Sequence, residues 1–224
     1  MKNLPFHTCI LGLGERSTKY YLTTLHKKYY EKLGEYHTFP FLMYQIDFDA
    51  INRFLPNQFD KLIPELTGIL DTISIFNAKQ YLIPNITLHE TLDQIDHHLH
   101  FAHPVQIAIT YCLSHDIDKI VLFGSRYTMS SNYIPKMFKA KGLSIIKPSE
   151  EDQLLIDHFR TKTYASNDTE SDYRSYKQLI QKYTSASHVI TACTELSLHH
   201  VQLKNSKVID MALLQIEKVL TQDP

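Results

Sequence analysis

Short apolar runs alternate with segments of helical periodicity along the whole chain. His7 to Leu13, Phe41 to Ile46, Tyr81 to Pro84, Ile120 to Phe123, Leu143 to Pro148, His188 to Ile190 and Lys207 to Asp210 each read as a strand. Helices are predicted between them: through Leu25 to about Leu33 with Ser17 or Thr18 as cap, from Asp47 as cap, from Asp60 past Leu70 despite Pro64, and from Asn85 or Thr87 as cap. Further helices are predicted from Val105 to His115, Asn132 to Lys141, Glu151 to Phe159, Tyr176 to Tyr183, after Cys193 to about Leu203, and to Leu220 at the end. Asn167 to Asp172 reads as a polar loop. Such alternation predicts an α/β fold with mostly parallel sheets.

The stretch richest in chemistry is Thr191-Ala192-Cys193-Thr194-Glu195-Leu196, where an apolar run gives way to a helix start. Exposed backbone N–H groups and the helix dipole at such a turn favour a thiolate and bind carboxylates. A lone cysteine is more often an inert core residue, so the flanking hydroxyls and carboxylate carry the case for Cys193. The other two cysteines, Cys9 in a strand and Cys112 in a helix, read as core thiols. An odd, scattered count without CxxC spacing argues for a reducing compartment and against disulfides or a zinc knuckle.

With 224 residues the chain is long enough for one large domain or two small ones. Its net charge of -1 leaves no basic footprint for nucleic acid and no polybasic patch for a membrane. The run from Met1 to His7 lacks an apolar leader and a cleavage site, and no apolar run is long enough to span a bilayer. A cytoplasmic location is the expectation. Gly12 and Gly14 fall short of a dinucleotide fingerprint. His97, His98, His100 and His103 crowd one segment without partners at ligand spacing, so no metal is expected.

Two stretches echo each other. Ile10-Leu11-Gly12-Leu13-Gly14-Glu15-Arg16-Ser17-Thr18 matches Val121-Leu122-Phe123-Gly124-Ser125-Arg126-Tyr127-Thr128, and Asn85-Ile86-Thr87-Leu88-His89-Glu90 corresponds loosely to Ala192-Cys193-Thr194-Glu195-Leu196. Paired echoes in one order predict a duplicated unit. The expected architecture is two similar parallel-sheet α/β domains facing each other across a cleft, with ligands at the strand C-terminal turns. The first domain is expected over 1–104, with 207–224 packing back on it, and the second over 105–206.

The same motifs, in order, resemble the cofactor-independent aspartate/glutamate racemase superfamily, nearest its aspartate racemase branch. Leu11 to Thr18 is similar to the family's Gly-Gly-Met-x-x-Glu-Ser-Thr, and Gln45-Ile46-Asp47-Phe48 to its second-strand motif. Asn85-Ile86-Thr87-Leu88-His89 resembles Cys/Thr-Asn-Thr-x-His, and Phe123 to Met129 resembles Leu-Gly-Thr-x-x-Thr-Met. Ala192-Cys193-Thr194-Glu195 resembles Gly-Cys-Thr-Glu, and Asp210 opens the closing motif. The resemblance implies an amino-acid racemase in which two thiols work on opposite faces of the α-carbon without a cofactor. It implies Cys193 as one acid/base and Asn85 at the position of the other. Thr87, Ser125, Arg126, Thr128, Thr194 and Glu195 would bind a small carboxylate or amino acid, and a homodimer is a family expectation.

Departures are written in the same residues. Asn85 stands where the family has Cys or Thr, Ile86 where it has Asn, Arg16 where it has Glu, and Met211 and Gln215 replace the closing Thr and His. Three functions stay open: a racemase with one thiol and another partner such as His89 or water, a one-thiol decarboxylase-like enzyme, and a carboxylate-binding homologue without chemistry. Arg16, Arg53, Arg126 and Lys162 are candidates for a second substrate carboxylate, with Arg126 foremost.

Overall fold

A computed structural model of the chain describes residues 7–221. Met1 to Phe6, most of the run read above as lacking a leader, lie outside the described residues, as do 222–224. Two compact units emerge, one of residues 1–103 and 215–224, the other of residues 104–214.

The first unit is built on β1 (Thr8–Gly12), β2 (Leu42–Gln45) and β3 (Gln80–Leu82), all parallel in the order β2-β1-β3. Ile10 registers with Met43 on one side and with Leu82 on the other. Its helices are α1 (Glu15–Leu33), α2 (Asp49–Asn52), α3 (Phe59–Ser74) and α4 (His89–Leu92). Parallel strands need crossovers that lay helices on the sheet, so the central strand is buried along its whole length. From α3, Leu62, Leu66, Leu70 and Ile73 bury one stripe against Cys9, Leu11 and Tyr81. Each such burial is worth about 1.5–3 kcal/mol over exposure.

The second unit continues with α5 (Pro104–Ser114), β4 (Lys119–Phe123), α6 (Arg126–Ser130), α7 (Tyr133–Lys139), β5 (Ser144–Ile146), α8 (Glu150–Tyr164) and α9 (Glu170–Thr184). It ends with β6 (His188–Thr191), α10 (Thr194–Ser197), α11 (His200–Leu203), β7 (Val208–Asp210) and α12 (Met211–Thr221), the last of which runs back into the first unit. Its parallel sheet has the order β5-β4-β6-β7. Phe123, Phe159, Tyr176, Ile180, Val189 and Leu196 lie in its core, with the Phe159 and Tyr176 rings stacked at 4.5 Å.

The echo in sequence has a topological counterpart. β1 sits between β2 and β3 as β4 sits between β5 and β6, so the turns after β3 and β6, carrying Asn85 and Cys193, are equivalent. β7 extends the second sheet, and the return to the first unit begins at Gln215, later than the 207 read from the sequence.

Several local readings change. Gly14, not Ser17 or Thr18, takes the cap position of α1, because the Thr18 hydroxyl turns back to accept from Leu13 N at 3.0 Å. Phe48 occupies the cap position of α2, and Asp47 Oδ1 accepts from Asp49 N at 3.2 Å. The expected loop 167–172 already contains a helix start, since Thr169 and Asp172 exchange the reciprocal bonds of a capping box. The single helix expected after Cys193 is two short ones, α11 closing on Lys204 in the left-handed region at φ 46°.

Candidate active site

β4 and β6 are hydrogen-bonded neighbours with Phe123 opposite Thr191, so their carboxyl ends deliver Gly124-Ser125 and Ala192-Cys193 side by side. Ala192 N donates to Phe123 O at 2.8 Å and fixes that approach. Gly124 is needed here: a Cβ would stand 2.9 Å from Thr128 Cγ2 and 3.5 Å from Ala192 O. The Ser125 hydroxyl accepts from Thr128 N at 3.1 Å and lies 2.8 Å from Thr128 Oγ1. Ser125 and Thr128, both expected substrate ligands, thus brace one another. Arg126 between them is exposed, and its backbone N donates to Asp157 Oδ1 at 3.1 Å.

Cys193 is half-buried in the position before α10 and donates its thiol hydrogen to Glu195 Oε2 at 2.6 Å. Burial pushes the thiol well above its ordinary value of 9.0, and the Glu195 carboxylate pushes the same way. The Arg160 guanidinium pulls against them without prevailing. The thiolate expected from the helix start is therefore not the resting form. α10 spans only four residues and its dipole is small beside the burial and the adjacent carboxylate. Thr194 is buried and Glu195 half-buried. Cys9 and Cys112 are buried too, each pushed to about 11 by burial alone.

Arg160 is a charged neighbour of the Cys193 turn that the sequence reading does not include. It reaches the Cys193 turn from α8, which packs on α10. Its Nε donates to Asp157 Oδ1 at 2.7 Å, while its charge acts on both Cys193 and Glu195. Nothing in the local pattern of α8 marks it, because a contact between elements that far apart in sequence is set by packing.

In the first unit, Asn85 Oδ1 accepts from Leu88 N at 3.0 Å and braces the turn after β3. Thr87 is half-buried beside it. His89 is wholly buried, edge-on to Phe101 and His103, with the Ile83 backbone as a polar neighbour of its ring. Among the other cationic candidates, Arg53 pairs with Asp49 and Lys162 with Asp172 at 2.8 Å, while Arg16 also has a partner. A cavity of about 430 Å³ bounded by Leu13, Glu15, Lys19, Leu22 and Gln45 contains none of the residues expected for chemistry. Among the described residues no group of three His, Cys, Asp or Glu side chains could hold a metal ion, and no helix is long and apolar enough to cross a membrane.

No protein-family model matches the chain, and no curated protein matches it in sequence. Solved structures do. A candidate Asp/Glu racemase from Yersinia pestis superposes with a TM-score of 0.80 at 20% identity, covering 96% of this chain and 98% of that one. An aspartate racemase homologue from Pyrococcus horikoshii OT3 gives 0.76 at 17% identity, with 96% and 97% covered. The aspartate racemase of Picrophilus torridus gives 0.75 at 14% identity, with 96% and 94% covered. From end to end, this chain has the fold of the aspartate and glutamate racemases.

Proposed function

We propose that the chain is a cofactor-independent isomerase of the racemase type, moving a proton at the carbon next to a carboxylate of a small amino acid or related acid. One observation carries this reading: a half-buried thiol at the end of β6 bonded to a carboxylate at 2.6 Å. Cys193 holds a proton at rest, so it is set to deliver one to a carbanion. Passing its proton to Glu195 converts it to the base that abstracts one. Thr194 and the Ser125–Thr128 turn offer hydroxyls and N–H groups to the substrate carboxylate.

A second reading, one-sided chemistry of the decarboxylase kind, draws on Asn85. A carboxamide exchanges no proton near neutral pH, and its oxygen already braces Leu88 N. Solvent deuterium entering the α-carbon across a panel of amino acids and malonates tests both. Exchange with inversion supports the isomerase, and exchange with retention supports one-sided chemistry. No exchange from the native chain, with dicarboxylates still raising its melting temperature, leaves a binding protein.

A further inference from the structure

The Cys193 turn carries a problem of charge. A thiol that serves as base must become an anion in a half-buried site, and whenever its proton leaves for solvent rather than for Glu195 the group bonded to it is an anion as well. Two like charges this close oppose each other by several-fold more in a half-buried site than in water. The groups facing Cys193 are Glu195 from α10, Arg160 from α8 and the buried Tyr176 hydroxyl from α9. Behind Tyr176 come the buried Asp210 and, 3.9 Å from it, His200 Nδ1. Of these, Arg160 is the one whose permanent positive charge reaches the sulfur.

Arg160 does not point there by its own preference. A long side chain at the surface samples many rotamers, and Asp157 holds this one through the 2.7 Å bond to Nε, with Thr161 Oγ1 accepting from Nη2 at 3.1 Å. The same Asp157 oxygen accepts from Arg126 N at 3.1 Å. One carboxylate oxygen thus ties the turn after β4 to the cation beside the turn after β6. We propose that Asp157 and Arg160 are positioning residues of the thiol site, Asp157 orienting the guanidinium and Arg160 supplying the charge against which Cys193 gives up its proton. The proposal rests on the reading of Cys193 as the working acid/base, yet it can be measured without turnover.

The test is the pH dependence of Cys193 alkylation by iodoacetamide, read by peptide mass on the full chain from about pH 6 to about pH 11. The buried Cys9 and Cys112 serve as internal controls for unfolding. Arg160→Gln raises the midpoint by about one pH unit, and Arg160→Lys by less, because charge is kept while the bond to Asp157 is lost. Asp157→Ala, which removes the accepting oxygen as well as the charge, gives the sharper result. Were Asp157 merely a nearby anion, its removal would ease thiolate formation and lower the midpoint or leave it unchanged. As an orienting group its loss raises the midpoint, and it adds nothing further in an Arg160→Gln background. An equal midpoint in native chain and Arg160→Gln, or a fall in Asp157→Ala, overturns the proposal. Absence of isotope exchange in the native chain would instead refute the proposed function and leave this result standing.

Discussion

The hydroxyl of Tyr21 donates to Gln215 Oε1 at 2.6 Å, joining residues 194 positions apart. Gln215 then donates through Nε2 to Ala102 O at 2.5 Å, and both side chains are wholly buried. Where the resembling family has a histidine in its closing motif, this chain has a glutamine used as a structural clasp. Gln215→Ala removes both of these bonds, leaves the buried Ala102 carbonyl without the Gln215 amide and costs about 1–3 kcal/mol. Tyr21→Phe leaves one oxygen unpaired and costs less. Urea unfolding curves with unchanged m-values check the ranking.

Glu195 is predicted to act on Cys193 in both directions. Glu195→Gln removes the carboxylate that takes the thiol proton, and α-proton exchange falls by about 10²–10⁴-fold. It also removes the charge that opposes the thiolate, so Cys193 alkylates at lower pH than in the native chain. A drop in exchange with an unchanged alkylation profile would argue against the pairing.

Gly124→Ala places a methyl carbon 2.9 Å from Thr128 Cγ2 and 3.0 Å from its Cβ. Either Thr128 shifts, breaking its contact with Ser125, or the turn opens. A loss of about 1–3 kcal/mol in stability is expected, with a weaker thermal-shift response to carboxylates. Gly142→Ala is also strained, at φ 78°, but has open space around it and tests a turn remote in sequence from the thiol.

How far the sequence told of this depends on the kind of contact. Val121 to Phe123 and Cys9 to Leu11 announced buried strands because a parallel sheet hides both faces, leaving an unbroken apolar run. The duplicated order of Gly, Arg and hydroxyl around Gly12 and Gly124 pointed to equivalent turns, and β1 and β4 hold equivalent places. Thr18 misled because a threonine hydroxyl serves a backward bond as well as a forward one. Thr169-Glu170-Ser171-Asp172 has the spacing of a capping box, but four polar residues in a row read equally as a loop. The protonated state of Cys193 was illegible, because the burial and the Arg160 charge acting on it come from elsewhere in the chain.

Acid stability gives another prediction. His89 is held neutral by burial, with the nearby His103 adding to the effect, and its folded value lies well below the ordinary 6.5. A base harder to protonate when folded lets the unfolded chain bind the extra proton. Its contribution is full above about pH 6.5 and shrinks as pH falls toward the folded value. His89→Phe keeps a ring against Phe101 and removes that proton, so its stability varies less between about pH 7 and about pH 5 than that of the native chain. Parallel curves for the two proteins would assign the acid sensitivity to other groups.

The clasp at Gln215 bears on how the chain is made. The second unit is one continuous stretch of chain, whereas the first needs its opening strands together with a helix synthesised at the far end. Emerging from the ribosome, the chain must hold β1, β2 and β3 in an incomplete core until that helix arrives. The half that begins first is the half completed last, and a stalled product ending before Gln215 leaves the tunnel as a finished second unit trailing an open one.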